Sequence, residues 1–254
     1  MCGRYVITST PAAIRALFGY PEQPNFPPRY NVAPTQPIPV VRLQDGKRQF
    51  VLMRWGLIPS WVKDPKTFSL LINARSESVI DKPAFRAAMR RRRCLIPADG
   101  FYEWRDVGGR KQPYFVRLRG SGGSFAFAGL WETWTGPNGE EMDTAAIVTT
   151  NSNRTLSPIH DRMPVILAAD AFDLWLDCAH VDAMTAAALL IPARDEVLEA
   201  YPVSPAVNRV ANDSAALIAP LAAADAAAAT APALSADRAK PEKAKKSGDQ
   251  TSLF

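Results

Sequence analysis

Hydrophobic and polar positions alternate in short runs along most of the chain, the signature of strands that bury one face. Residues 1–7 (MCGRYVI) read as the first of them. Thr10 then offers a helix cap and Pro11 fills the first helical position, so a helix is predicted over 11–18, stopped by Gly19. Residues 21–37 are crowded with Pro, Asn and Gln and read as a long loop, a length that more often serves function than mere connection. Strands are predicted at 38–43 and 49–55 around an Asp45-Gly46 hairpin turn. Residues 56–81 look irregular, and a helix over 83–91 leads into the run Arg90–Arg93. Cations suit a helix C-terminus, so that run reads as a solvated face. Further strands are expected near 94–97, 101–105, 113–119, 125–134, 143–149 and 196–203, with two short helices within 169–189. Many short strands and few helices predict an α+β fold, mostly an antiparallel β-sheet or barrel, and not a doubly wound sheet.

The pattern fails near residue 219. Residues 219–249 are mainly Ala, Pro, Lys, Asp and Ser. They cannot bury a core and read as a disordered tail behind one domain, 1–218. The tail ends differently, in Gln250-Thr251-Ser252-Leu253-Phe254. Two apolar residues after a polar stretch could be a terminus of no consequence or an anchor for a partner's pocket. The peptide resembles the QLSLF type by which bacterial proteins bind the DNA-polymerase sliding clamp, with Thr251 where Leu is usual. The anchor would consist of Gln250, Leu253 and Phe254.

Composition narrows the classes. The chain has 254 residues, 47% of them hydrophobic, enough for one sizeable core. A net charge of +5 is compatible with a polyanionic partner and does not identify one. The three cysteines, Cys2, Cys94 and Cys178, form no CxxC pair, which argues against a disulfide framework and a structural zinc site. A reducing, cytoplasmic setting is expected, with no metal, no cofactor and no membrane span. A monomer is the default expectation.

Cys2 is the most distinctive candidate for chemistry. Loss of Met1 would leave a free 1,2-aminothiol. An α-amine titrates near 7.7–8.0, well below lysine, so part of it is neutral at physiological pH. A neutral amine attacks an aldehyde, and the neighbouring thiol can close a five-membered thiazolidine ring. The alternative is a buried structural cysteine. His160, between Pro158 and Pro164 and beside Asp161 and Arg162, has the titration range for proton transfer. His180 reads as surface. Alternation places Glu103 on the same strand face as Phe101, and a carboxylate among aromatic residues should have a raised pKa. Pairing with an arginine is the competing reading. Asn73, beside Arg75, can orient a hydroxyl or stabilise charge. Arg4, Arg54-Trp55, Trp61, Arg75, Trp104 and Arg162 interleave cations with aromatic rings, which suits phosphates and unpaired bases. Most of the six tryptophans should still be core.

Six segments carry a more specific message: Met1-Cys2-Gly3-Arg4-Tyr5, Tyr30-Asn31-Val32-Ala33-Pro34, Met53-Arg54-Trp55-Gly56-Leu57-Ile58-Pro59-Ser60-Trp61, Asn73-Ala74-Arg75-Ser76-Glu77, Ala98-Asp99-Gly100-Phe101-Tyr102-Glu103-Trp104 and His160-Asp161-Arg162-Met163-Pro164. In this order, over residues 2–210, they resemble the SRAP (SOS response-associated peptidase) family. The resemblance implies a barrel-like core and a cleft for single-stranded DNA containing abasic sites. It implies a covalent thiazolidine link through Cys2, with Asn73 positioning Cys2 and the opened sugar. Glu103 would be the acid–base of Schiff-base formation, and His160 would help open the sugar and reverse the crosslink. Arg4, Arg54, Arg75 and Arg162 would hold phosphates. Pro34 and one or more of Trp55, Trp61 and Trp104 would stack or wedge the strand. The same residues could serve an N-terminal-nucleophile cysteine peptidase, including one that removes its own Met1. A DNA-binding module without chemistry is the third reading.

Overall fold

The computed structural model describes residues 2–120 and 122–222. Expectations for residues 223–254, including the peptide Gln250, Leu253 and Phe254, lie outside the described residues. In chain order the elements are β1 (Arg4–Ile7), α1 (Pro11–Phe18), β2 (Arg29–Val32), β3 (Pro37–Gln44), β4 (Lys47–Trp55), β5 (Asn73–Arg75), α2 (Arg86–Arg91), β6 (Arg93–Ala98), β7 (Gly100–Val107), β8 (Arg110–Leu118), β9 (Phe125–Thr135), β10 (Glu141–Asn151), β11 (Arg162–Pro164), β12 (Ile166–Leu167), α3 (Phe172–Leu176), α4 (Ala183–Ala187) and β13 (Leu198–Pro202).

Local chemistry accounts for the first helix and hairpin. The Thr10 hydroxyl accepts the Ala13 N–H at the start of α1, and Gly19 ends it in a left-handed conformation. Ile14 and Phe18 are its buried face. Asp45 and Gly46 both adopt positive φ, as a two-residue turn between paired strands requires.

The strands form two sheets. One runs β13-β8-β7-β1-β2. In the other, β10, β4, β3, β6 and β9 pair in turn and β9 returns to β10, closing a five-strand ring. All pairings are antiparallel except those β10 makes with β4 and β5. The short β1 lies between β2 and β7 and is buried on both faces. Tyr5 sets its ring edge-on to Trp55 and Phe127 of the ring, at 5.5 and 5.9 Å. Val6 points the other way, to Tyr102, Phe115, Val203 and Val207. Asp99 holds the end of β1 in place: its carboxylate accepts from the Thr8 and Ser9 backbone N–H groups and from the Ser9 and Ser124 hydroxyls.

The basic run near α2 is not one solvated face. Arg90 and Arg91 are exposed, but Arg93 is 1% exposed and begins β6. Its guanidinium donates to the carbonyls of Met89, Trp175, Asp177 and Val181 and lies against the Trp175 ring. The arginine ties the end of α2 to the segment that follows α3. Four carbonyls lose their donor if it goes, and a buried cation without them is costly. Arg93→Ala should therefore lower the unfolding free energy by about 3 kcal/mol or more. Urea unfolding measures this; a loss under about 1 kcal/mol would contradict the role.

Candidate active site

β1 ends one residue short of the candidate nucleophile. Its pairing with β7, Arg4 opposite Tyr102 and Tyr5 opposite Phe101, carries Cys2 towards Glu103. Across from them, β5 lies on β10, with Asn73 opposite Ile147 and Arg75 opposite Thr149. The Asn73 side-chain N–H₂ donates to the Cys2 carbonyl at 2.9 Å. The end of β10 pairs with β11, Asn151 opposite Arg162, which brings the His160–Arg162 corner to the same region. Residues 2, 73, 103 and 160 are thus drawn to one region through two sheets, three non-local strand pairings and the Asn73–Cys2 bond.

Cys2 is buried, and burial raises its thiol pKa above the ordinary value, with the Glu103 charge adding to the rise. Glu103 is 2% exposed. Burial raises its pKa to about 7, and the charge of Asp161 pushes the same way. The carboxyl is therefore divided between acid and carboxylate near neutral pH. Burial lowers the His160 pKa below 6.5, so this ring is mainly neutral there. Its Nδ1 accepts the Arg162 backbone N–H at 2.9 Å, which leaves the proton of the neutral ring on Nε2. The exposed Asp161 carboxylate lies 2.8 Å from the same Nδ1 and is served only when the ring is protonated. The Asn73 side-chain oxygen is buried and has no partner among the described residues, so the site holds an unused acceptor beside Cys2.

The expected DNA-contact residues divide. Arg75 is exposed, and Arg54 lines an open depression with Lys63 and Lys66. Trp61 is 59% exposed and edge-stacked on Phe68, so one ring face is open to a base. Trp104 is half-buried, with its indole N–H on Asn208. Pro34 sits in a turn whose next residue, Thr35, takes positive φ and donates its N–H to the Trp55 carbonyl. Trp55 itself cannot stack on DNA as expected: its ring is 0% exposed and its indole N–H bonds the Ile72 carbonyl. Its part is to support the Pro34 turn from beneath. Arg4 and Arg162 are also less available than expected. Arg4 donates to Asn31 and to the Val207 carbonyl. Arg162 is 9% exposed and pairs with Glu77, a residue whose role the motif did not disclose.

Comparison with known proteins supplies context. The family model "SOS response associated peptidase (SRAP)" matches residues 1–210. "Abasic site processing protein YoaM" of Bacillus subtilis is 40% identical over 222 residues, 86% of this chain and 97% of that protein. "Abasic site processing protein HMCES" of Gallus gallus is 33% identical over 264 residues, 87% of this chain and 78% of that protein. A crystal structure of a protein from Bacteroides thetaiotaomicron superposes with a TM-score of 0.78 at 25% identity, covering 87% of this chain and 100% of that one.

The Glu103 environment yields a stability test. Its folded pKa of about 7 exceeds the ordinary 4.5, so the folded protein holds a proton that the unfolded chain releases. That contribution is fully present below pH 4.5 and is lost as pH rises through about 7. Between about pH 5 and about pH 9, wild type should lose up to about 3 kcal/mol relative to Glu103→Gln. Parallel urea-unfolding profiles for the two proteins would contradict the burial effect.

Proposed function

The chain belongs to the SRAP family, and from that premise and the site geometry we propose that it reacts with abasic sites in single-stranded DNA through the aminothiol of Cys2. The observation that carries the reading is the bond from Asn73 to the Cys2 carbonyl, made beside a carboxyl group poised near neutrality. An ordinary nucleophilic cysteine does not need its own backbone held in this way; a reacting N-terminal residue does.

The steps balance without a cofactor. With Met1 removed, the Cys2 amine adds to the C1′ aldehyde of the opened deoxyribose. Glu103, as the acid, gives a proton to the departing hydroxyl, and water leaves as the Schiff base forms. Glu103, as the carboxylate, then takes the thiol proton while sulfur attacks the imine carbon. That proton stays on Glu103, which is again the acid, and the nitrogen keeps the single hydrogen it carried in the protonated Schiff base, so the thiazolidine is complete. His160, neutral with a proton on Nε2, would assist ring opening of the sugar and the reverse reaction. The raised thiol pKa favours this order over a cysteine-peptidase mechanism, which needs a ready thiolate. Here the amine attacks first and the thiol need ionise only at the second step.

An abasic site offers no base to read, so recognition falls to backbone, flanking bases and aldehyde. Exposed Arg75 and half-buried Arg54, at the edge of its depression, are cations suited to phosphates, and Trp61 and Pro34 are the surfaces suited to flanking bases. The ring would shield the lesion from strand cleavage while DNA is copied. Gln250, Leu253 and Phe254 would tether the protein to a sliding clamp and raise its concentration there. Removal of Met1 by the protein itself is a compatible extension of the same site. Among the described residues no helix is long and apolar enough to cross a membrane.

Two outcomes are expected on denaturing gels with an oligonucleotide carrying one abasic site. Wild type gives a heat-resistant shifted band, and both Cys2→Ala and a chain with one residue retained before Cys2 give none. A band from the chain that keeps an extra residue would show that the amine is not the reacting group. His160→Ala should slow formation or release of the band by about 10²-fold while leaving binding of intact strands nearly unchanged. Unchanged kinetics in both directions would remove His160 from the mechanism.

A further inference from the structure

Arg162 has the side chain of a phosphate-binding residue, but a carboxylate already occupies it. Glu77 takes both terminal nitrogens of the guanidinium, Nη1 to Oε1 and Nη2 to Oε2. Asn151 and the Thr149 carbonyl take the remaining Nη hydrogens. The fifth donor, Nε–H, is buried and finds no acceptor among the described residues. The pairing is unequal in exposure: the Arg162 side chain is 11% exposed, the Glu77 side chain 48%. Glu77 stands in the turn that leaves β5, two residues after Arg75, and carries the influence of both arginines. Arg75 in turn lies two residues after Asn73, whose side chain bonds the Cys2 carbonyl, on the same face of the strand.

A carboxylate and a phosphate offer an arginine fork the same two-oxygen geometry. On the reading of the site given above, we infer that Glu77 occupies the seat of a DNA phosphate and must swing out before Arg162 can grip the strand. The exposed carboxylate is the mobile half of the pair, because Arg162 is held from behind by Asn151 and Thr149. In the closed arrangement the cluster of Arg75, Arg162 and Glu77 presents one net positive charge in place of two. An intact strand is therefore held weakly and released. A strand with an aldehyde is captured because the covalent step follows. Glu77 is thus a specificity residue: it sets how far damaged DNA is preferred over intact DNA, without touching the reacting atoms.

The test uses the full chain and a single-stranded oligonucleotide with no abasic site. Glu77→Gln should tighten binding about five- to tenfold in low salt. It should also steepen the dependence of log K on log salt by about 0.7, the value for one more phosphate contact on a single strand. Asp81→Asn, which removes an exposed charge from the same turn, should change the affinity less than about twofold and leave the slope alone. An excess of intact strand should inhibit abasic crosslinking by Glu77→Gln more strongly than by wild type. Weaker binding or an unchanged slope for Glu77→Gln would overturn the proposal and make Glu77 a structural clamp on Arg162. If Glu77→Gln does not fold, Glu77→Asp keeps the charge but is too short for the two-oxygen grip. It should show the same tightening at smaller size, and unchanged affinity would again overturn the proposal. Should wild type form no abasic adduct while Glu77→Gln still binds intact strand more tightly with the steeper slope, the crosslinking reading fails and the phosphate seat stands.

Discussion

Everything at the site depends on how the segment around β1 is held. A terminal segment is ordinarily the loosest part of a domain. Here the four-residue β1 is placed inside a sheet, between β2 and β7, and is buried on both faces by Tyr5 and Val6. Asp99 accepts four hydrogen bonds from Thr8 and Ser9 just beyond the strand, and Asn73 adds one just before it. The second residue is thereby held from both sides. On the proposed mechanism, an α-amine that would otherwise sample many positions is thereby set against one carboxyl group. Such positioning can remove about 7–11 kcal/mol from the barrier of a bimolecular addition.

Burial does the rest of the tuning, with a different result for each group. It keeps the Cys2 thiol protonated, brings Glu103 to about 7 and keeps His160 neutral. On the proposed mechanism, these shifts suit Glu103 and His160 to move protons near neutral pH and leave the thiol to wait for its electrophile.

Much of this was legible from residue order. Local signals were reliable: the Thr10-Pro11 start and Gly19 stop of α1, the Asp45-Gly46 turn, and the alternation that set Phe101 and Glu103 on one face. The short strands β2, β5 and β11 were not visible, because three or four residues carry no periodicity and exist only through distant partners. That is also why the meeting of Asn73 with Cys2 had to come from the family resemblance and not from spacing. Trp55 and Arg93 erred in opposite ways. An aromatic beside an arginine was expected at the DNA surface and is core; a cation in a basic run was expected in water and is an internal tie. Residue type gives chemical capacity, and only packing decides which face meets solvent. Glu77 stood in a quoted motif without a role, because its partner Arg162 lies 85 residues away.

The central claim is that amine and thiol of Cys2 react as a unit. The most direct measurement compares wild type with Cys2→Ser on a single-stranded abasic oligonucleotide, with and without borohydride, on heated denaturing gels. The serine variant keeps the amine and loses the sulfur that closes the ring. Wild type should give a heat-stable adduct without reductant, and Cys2→Ser should give one only when borohydride traps the Schiff base. Equal, reductant-independent adducts from both proteins would contradict the account.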